Sequence, residues 1–212
     1  MVTRAYTSAV REESARHTKR VIASAAAELF LRDGYPQTSV LAVARAAGVS
    51  TQTVYNSFGT KAGLLKHVYD VTLVGDDDPV PFAERAEVRA LYELTDPRDF
   101  LAGYAAIGVV LFERLGPLLG VITAGAQAGE EDLTAHLRRI DAERLTGVTM
   151  VVQHLRTLGG LAQQVSQQQA RDAIWTLNSL AVWQLLTVER GWSPDAYAAW
   201  VGRAMADAVL AR

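Results

Sequence analysis

The chain has 212 residues, half of them apolar, with 21 Lys and Arg against 23 Asp and Glu and no cysteine. This composition excludes a disulfide framework, a thiolate metal site and a cysteine nucleophile, and the length calls for two domains. The formal charge of −2 is unevenly divided: residues 1–70 hold nine cations against five acids, whereas residues 71–212 hold twelve against eighteen.

Residues 1–15 have no apolar signal core and read as a flexible N-terminal arm, whose Arg4 and Arg11 can reach a minor groove. From 16 to 32, Ile22, Ala25, Ala26, Leu29 and Phe30 recur at three and four, one face of an amphipathic helix that Asp33-Gly34-Tyr35-Pro36 ends. Thr38 or Ser39 caps the next helix. Its Val40, Val43, Ala44 and Ala47 fall at helical spacing, and Gly48 supplies positive φ just past its end. Ser50 then caps a third helix, with Val49 and Val54 in the arrangement of a hydrophobic staple that sets the bend locally.

That third helix places Val54 and Phe58 on an apolar side and Thr51, Gln52, Thr53 and Asn56 on a short polar one. Such side chains reach base edges or phosphates, Tyr55 can donate to a phosphate, and a helix N-terminus favours an anion. Lys61 opens the following helix, 62–74, and can donate to a phosphate as that helix passes a duplex. The basic first third is what a DNA-binding head would show.

The pattern A-x-x-A-G-V-S-x-x-T-V-Y-x-x-F-x-x-K-x-x-L, Ala44 to Leu64, resembles the DNA-binding domain of the TetR family of transcriptional repressors. The resemblance implies that Thr38, Ser39, Tyr55 and Lys61 anchor the sugar-phosphate backbone and that Thr51, Gln52 and Thr53 face bases. It departs from the family at Thr51, where many relatives carry Lys or Arg, and at Ser57, where many carry an aromatic residue or His. Two phosphate contacts are thereby given up.

Beyond 75–81, a loop, the chain reads as helical. A short helix covers 82–94. Thr95 or Asp96 with Pro97 starts another, through Phe100, Tyr104, Ile107, Leu111 and Leu115, which Gly116-Pro117 kinks or breaks before it continues to about 125. A long helix follows over 130–158, then 166–189 and 193–210. No strand-period alternation appears, and no apolar run approaches the ~20 residues of a membrane span. The fold class expected is all-α, of about nine or ten helices: arm 1–15, helix-turn-helix domain 16–60, connecting helix 61–75, and effector-binding and dimerisation domain 76–212.

The last two helices offer more apolar surface than one protomer's core needs, and in TetR-like proteins they form the homodimer; Trp183, Leu186, Trp200, Gly202 and Ala206 are the expected interface. The middle helices of the family enclose an effector cavity. Its candidate lining is Tyr104, Ile107, Leu111, Met150, His154, Trp175 and Asn178, each equally suited to core packing. With no charged residue obviously aimed inward, an apolar or weakly polar effector is expected.

Enzymatic signatures are missing: there is no Glu-x-x-His pair, Gly-x-Ser-x-Gly elbow or phosphate-binding glycine loop. No metal and no cofactor are expected. The resemblance implies a cytoplasmic, ligand-responsive repressor reading a palindromic operator as a homodimer, the alternative being a helical dimeric adaptor without operator binding.

Overall fold

The computed structural model describes residues 2–76, 78 and 80–211. Among these, ten α-helices account for nearly all regular structure, with one isolated β-bridge, Leu161 to Leu210. The chain divides into two compact units, Met1–Asp78 with Pro117–Leu137, and Pro79–Gly116 with Arg138–Arg212. The segment 117–137 therefore groups with the first unit, inside the range that sequence assigns to the effector domain.

In the first unit α1 (Val2–Asp33) packs on α2 (Val40–Ala46) and α4 (Lys61–Val74), with α3 (Thr51–Phe58) between them in sequence. Ile22, Ala26, Phe30, Val43, Ala44, Val54, Leu64 and Leu65 are all buried. Helix α1 begins at Val2, whereas sequence places a loose arm over 1–15 and the helix from 16. The segment has no Gly or Pro to stop a helix propagating towards the N-terminus, and Arg16 pairs with Glu13 one turn back at 2.7 Å.

The second unit holds α5 (Ala86–Tyr92), which a 3₁₀ turn over Phe82–Glu84 precedes, so the single helix expected over 82–94 is two pieces. It also holds most of α6 (Pro97–Gln127) and α7 (Glu131–Thr157), and all of α8 (Gln167–Leu177), α9 (Leu180–Trp183) and α10 (Pro194–Val209). Asp96 starts α6, its carboxylate accepting from the Arg98 and Asp99 amides at 2.7 and 3.1 Å. The core joins Phe100, Leu101, Ala105, Val109 and Phe112 of α6 to Val148, Val152 and Leu155 of α7, Ile174 of α8 and Tyr197, Val201 and Met205 of α10.

Three further findings bear on the expectations. Of the kink or break expected at Gly116-Pro117, there is no break: helix α6 runs through with Pro117 inside it. Pro117 and Glu113, whose carbonyl loses its partner, both lie on the exposed side, where water can accept the loss. The continuous helix is long and apolar enough, by length and composition, to cross a membrane, contrary to the expectation that no run approaches a span. Phe100, Leu101, Val109, Phe112, Leu115, Leu118, Leu119 and Ile122 are spent on the protein interior, whereas Val110 is exposed. The helix expected over 166–189 is broken at Asn178, after which Ser179 caps α9, and Gln184–Glu189 continue as a π-helical segment.

Candidate functional site

The geometry of α2 and α3 follows from their ends. Ser39 caps α2 by accepting from the Ala42 amide at 3.1 Å, and Ser50 caps α3 by accepting from the Thr53 amide at 3.0 Å. Gly48 turns the chain between them at φ 66°, in the left-handed region. Val54 is buried at 2 % exposure, so α3 is fixed to the unit by one face and offers Gln52, Tyr55 and Asn56 to solvent on the other. Gln52 Nε2 donates to Asn56 Oδ1 at 2.8 Å, holding these two amides one above the other along the exposed face.

Other predicted contacts are committed elsewhere. Thr38 is buried at 2 % exposure, its hydroxyl shared between the carbonyls of Gly34 (2.8 Å) and Leu29 (3.2 Å). It locks the turn after α1 and presents nothing outward. Thr53 is half-buried with its hydroxyl 2.8 Å from Ser50 Oγ, and Thr51 is half-buried beside it. Lys61 donates to the Tyr35 carbonyl and lies 4.0 Å from the centroid of the Tyr35 ring. Burial lowers the Lys61 pKa, against the negative charges of Glu130 and Asp132.

Tyr35 belongs to a contact that sequence reasoning missed. Its hydroxyl donates to Asp132 Oδ2 at 2.8 Å, tying the turn after α1 to the first turn of α7. Burial, then this hydrogen bond, push the phenol above its ordinary pKa. Close by in sequence, His136 is buried and meets Tyr69 of α4 edge-on at 5.2 Å. Nothing in the local pattern joins residues 97 positions apart.

This two-point-capped, outward-reading helix lies within a segment that matches known proteins. Residues 22–68 match the model of the family described as bacterial regulatory proteins, tetR family. The amino-terminal domain is a TetR-family domain. Among curated proteins none matches the chain in sequence.

Solved structures agree in fold. FadR from Bacillus subtilis, in complex with stearoyl-CoA, is 19% identical with TM-score 0.70, over 89% of this chain and 98% of its own. NalD, the secondary repressor of the MexAB-OprM multidrug efflux pump in Pseudomonas aeruginosa, is 23% identical with TM-score 0.68, over 92% and 97%. A TetR transcription regulator from Haloarcula marismortui is 19% identical with TM-score 0.64, over 92% and 100%.

The seven residues expected to line an effector cavity all fall in the second unit, most of them packed on its core. Tyr104, Ile107 and Trp175 pack half-buried against the core, Leu111 is half-buried, and Asn178 is buried at 7 % exposure. Met150 is 46 % exposed and leaves the lining. His154 stands against Tyr92 and Phe100, ring centroids 4.9 and 4.6 Å away.

A charged side chain does turn inward, against expectation. Arg144 donates to the carbonyls of Trp175 (3.0 Å) and Asn178 (3.3 Å), pairs with Asp141 at 3.3 Å and stacks over the Trp175 ring at 4.8 Å. It thereby satisfies the carbonyls where α8 stops. The signal was present in sequence, since Ile140, Arg144 and Val148 stand four apart on one stripe.

The expected dimer residues divide. Trp183 is 8 % exposed and meets Tyr197 edge-on at 4.9 Å; Ala206 is 2 % exposed. A Cβ on Gly202 would lie 3.2 Å from the Ala102 backbone of α6. All three are spent inside the protomer: Gly202 lets α10 approach α6 closely, and Trp183 packs between Phe112 and Tyr197. What remains outside is Leu185 and Val188 of the π-helical segment, 59 % and 71 % exposed, with Trp192. Trp192 and Trp200 meet edge-on at 6.0 Å beside a groove of about 400 Å³ lined by Ala196, Ala199 and Arg203. Leu186 and Trp200 are partly buried, packed against the core.

Proposed function

We propose that the chain is a ligand-responsive transcriptional repressor that binds a palindromic DNA operator as a homodimer in the cytoplasm. The observation that carries this reading is the exposed Gln52–Asn56 pair on α3, a helix whose start is capped and whose opposite face is anchored. Such a pair is pre-positioned for base edges in a major groove, an amide side chain matching adenine bidentately. Ser39, Tyr55 and Arg45 are the phosphate contacts of this reading, which their exposure supports. Lys61 serves first as a brace under Tyr35.

One reading helix makes few contacts, so two copies are needed, and the exposed Leu185, Val188 and Trp192 supply an apolar face for a second copy. NalD is a repressor and FadR is seen in complex with stearoyl-CoA; a small molecule bound in this fold supports ligand control here. Helices α6 and α7 both run from the second unit into the first, so α4 is not the sole covalent route by which a ligand acts on the head. The Tyr35–Asp132 bond makes the start of α7 the more direct lever.

A gel shift against the DNA flanking the chain's own gene, competed with random duplex, tests the reading. Preference for the flanking DNA of at least a hundredfold is expected. Equal affinity for both sequences would leave a dimeric adaptor as the better account.

A further inference from the structure

A carboxamide carries one carbonyl oxygen and two N–H bonds, so what it can read on a base depends on which of these it has already spent. Gln52 and Asn56 are both exposed on α3, one turn apart, and Gln52 Nε2 donates to Asn56 Oδ1 at 2.8 Å. That bond takes one Gln52 N–H and leaves the other, together with the Oε1 carbonyl. The helix beneath is held against turning: Val54 is buried at 2 % exposure, and Ser50 accepts from the Thr53 amide at 3.0 Å. The neighbouring Thr53 hydroxyl is itself engaged, 2.8 Å from Ser50 Oγ, so the free polar atoms of this face belong to the two amides and Tyr55.

We infer that Asn56 is a positioning residue that sets the base preference of Gln52, making it a reader of adenine and excluding guanine. This rests on the proposed operator binding and names the base at one position of each half-site. In the major groove adenine presents one acceptor, N7, and one donor, its N6 amino group. Guanine presents two acceptors, N7 and O6; cytosine presents a donor and thymine an acceptor beside its methyl group. One N–H and one carbonyl therefore complement adenine at both atoms. Guanine calls for two N–H bonds, and Gln52 has one left to give. To take guanine, Gln52 must withdraw its N–H from Asn56 and leave Oδ1 without a partner. On an exposed helix that loss is small, as for any pair four residues apart, because water replaces the bond. In a groove from which water has been displaced it becomes the larger cost of an unsatisfied acceptor. The pair thus converts an ambivalent amide into a selective one.

The full chain and its variants Gln52→Ala, Asn56→Ala and Asn56→Asp are each used to select duplexes from a fully randomised library, and the bound pools are sequenced. The Gln52 position is the one whose preference disappears in Gln52→Ala. There the unsubstituted chain should favour adenine over guanine by roughly tenfold or more, and Asn56→Ala by less than about threefold. Asn56→Asp should restore the full ratio, since a carboxylate only accepts and holds the same Gln52 N–H, even as its charge weakens binding to every duplex. The ratio at one position does not follow overall affinity, and a helix merely loosened by loss of the pair would blur every position alike. Guanine at the Gln52 position, an unchanged ratio in Asn56→Ala, no recovery in Asn56→Asp, or no position lost in Gln52→Ala overturns the inference and leaves DNA recognition standing. A library from which no sequence is enriched overturns the repressor reading, and this inference with it.

Discussion

The exposed face of the π-helical segment gives a dimer prediction that can be sized. Leu185 and Val188 leave 59 % and 71 % of their surface in water. Fully burying such a side chain is worth roughly 1.5–3 kcal/mol, so covering what these two leave contributes about 1–2 kcal/mol each. Twofold symmetry counts each residue twice, about 5 kcal/mol per dimer, and each ~1.4 kcal/mol is tenfold in affinity. The double variant Leu185→Ser, Val188→Ser should therefore weaken the dimer by roughly three to four orders of magnitude if both residues are fully covered, and by less if the seam is wet. Because both are exposed within the protomer, thermal unfolding extrapolated to low concentration should be little changed. Sedimentation equilibrium over a range of concentrations reads the dissociation constant. A change below tenfold, with the dimer intact, would mean that the second copy docks on another face.

Gly202→Arg and Ala206→Glu should abolish the cooperative thermal transition seen by circular dichroism, since both positions are inside the protomer; a folded monomer would return them to the interface. Tyr35→Phe keeps the ring under Lys61 and removes only the bond to Asp132. With Asp132 exposed, the loss is about 1 kcal/mol, or ~2–4 °C in Tm for a chain of this size, together with a blunted effector response of operator affinity. An unchanged response would remove this bond from the switch. Gln52→Ala should cost roughly 1–3 kcal/mol on the cognate operator and little on random DNA, read by fluorescence anisotropy; equal losses would make Gln52 a backbone anchor.

Helical periodicity and end signals made most elements legible, because capping is local: Ser39, Ser50, Asp96, Ser166 and Ser193 all act at or beside the predicted starts. The same locality left Pro117 open, where continuity of α6 depends on which side of the helix faces water, and misled at Asn178, where Arg144 from another helix makes the break tolerable. Site residues were legible as a set but not as directions. Thr38 and Lys61 have polar groups suited to a phosphate, yet their partners are Leu29 in the last turns of α1 and Gly34 and Tyr35 in the turn after it. The interface was sought among small and large apolar residues alike, and only packing separates Gly202, pressed to α6, from Val188, left outside.

The internal pairing of the head's cations bears on how long the protein dwells on the wrong DNA. Arg16 and Arg20 both reach Glu13, Arg32 is held by Asp33, Lys66 by Asp70, and Lys61 by Tyr35. If the head binds a duplex as proposed, each such contact is exchanged for a phosphate, so a looser sequence-independent hold and a shallower salt dependence are expected than for a head whose cations are all unpaired. A loosely held searcher leaves non-operator DNA quickly and samples more sites in a given time. On the proposed reading, the operator would then be distinguished by residence, through the two amides on α3, rather than by a strong general attraction to the chromosome.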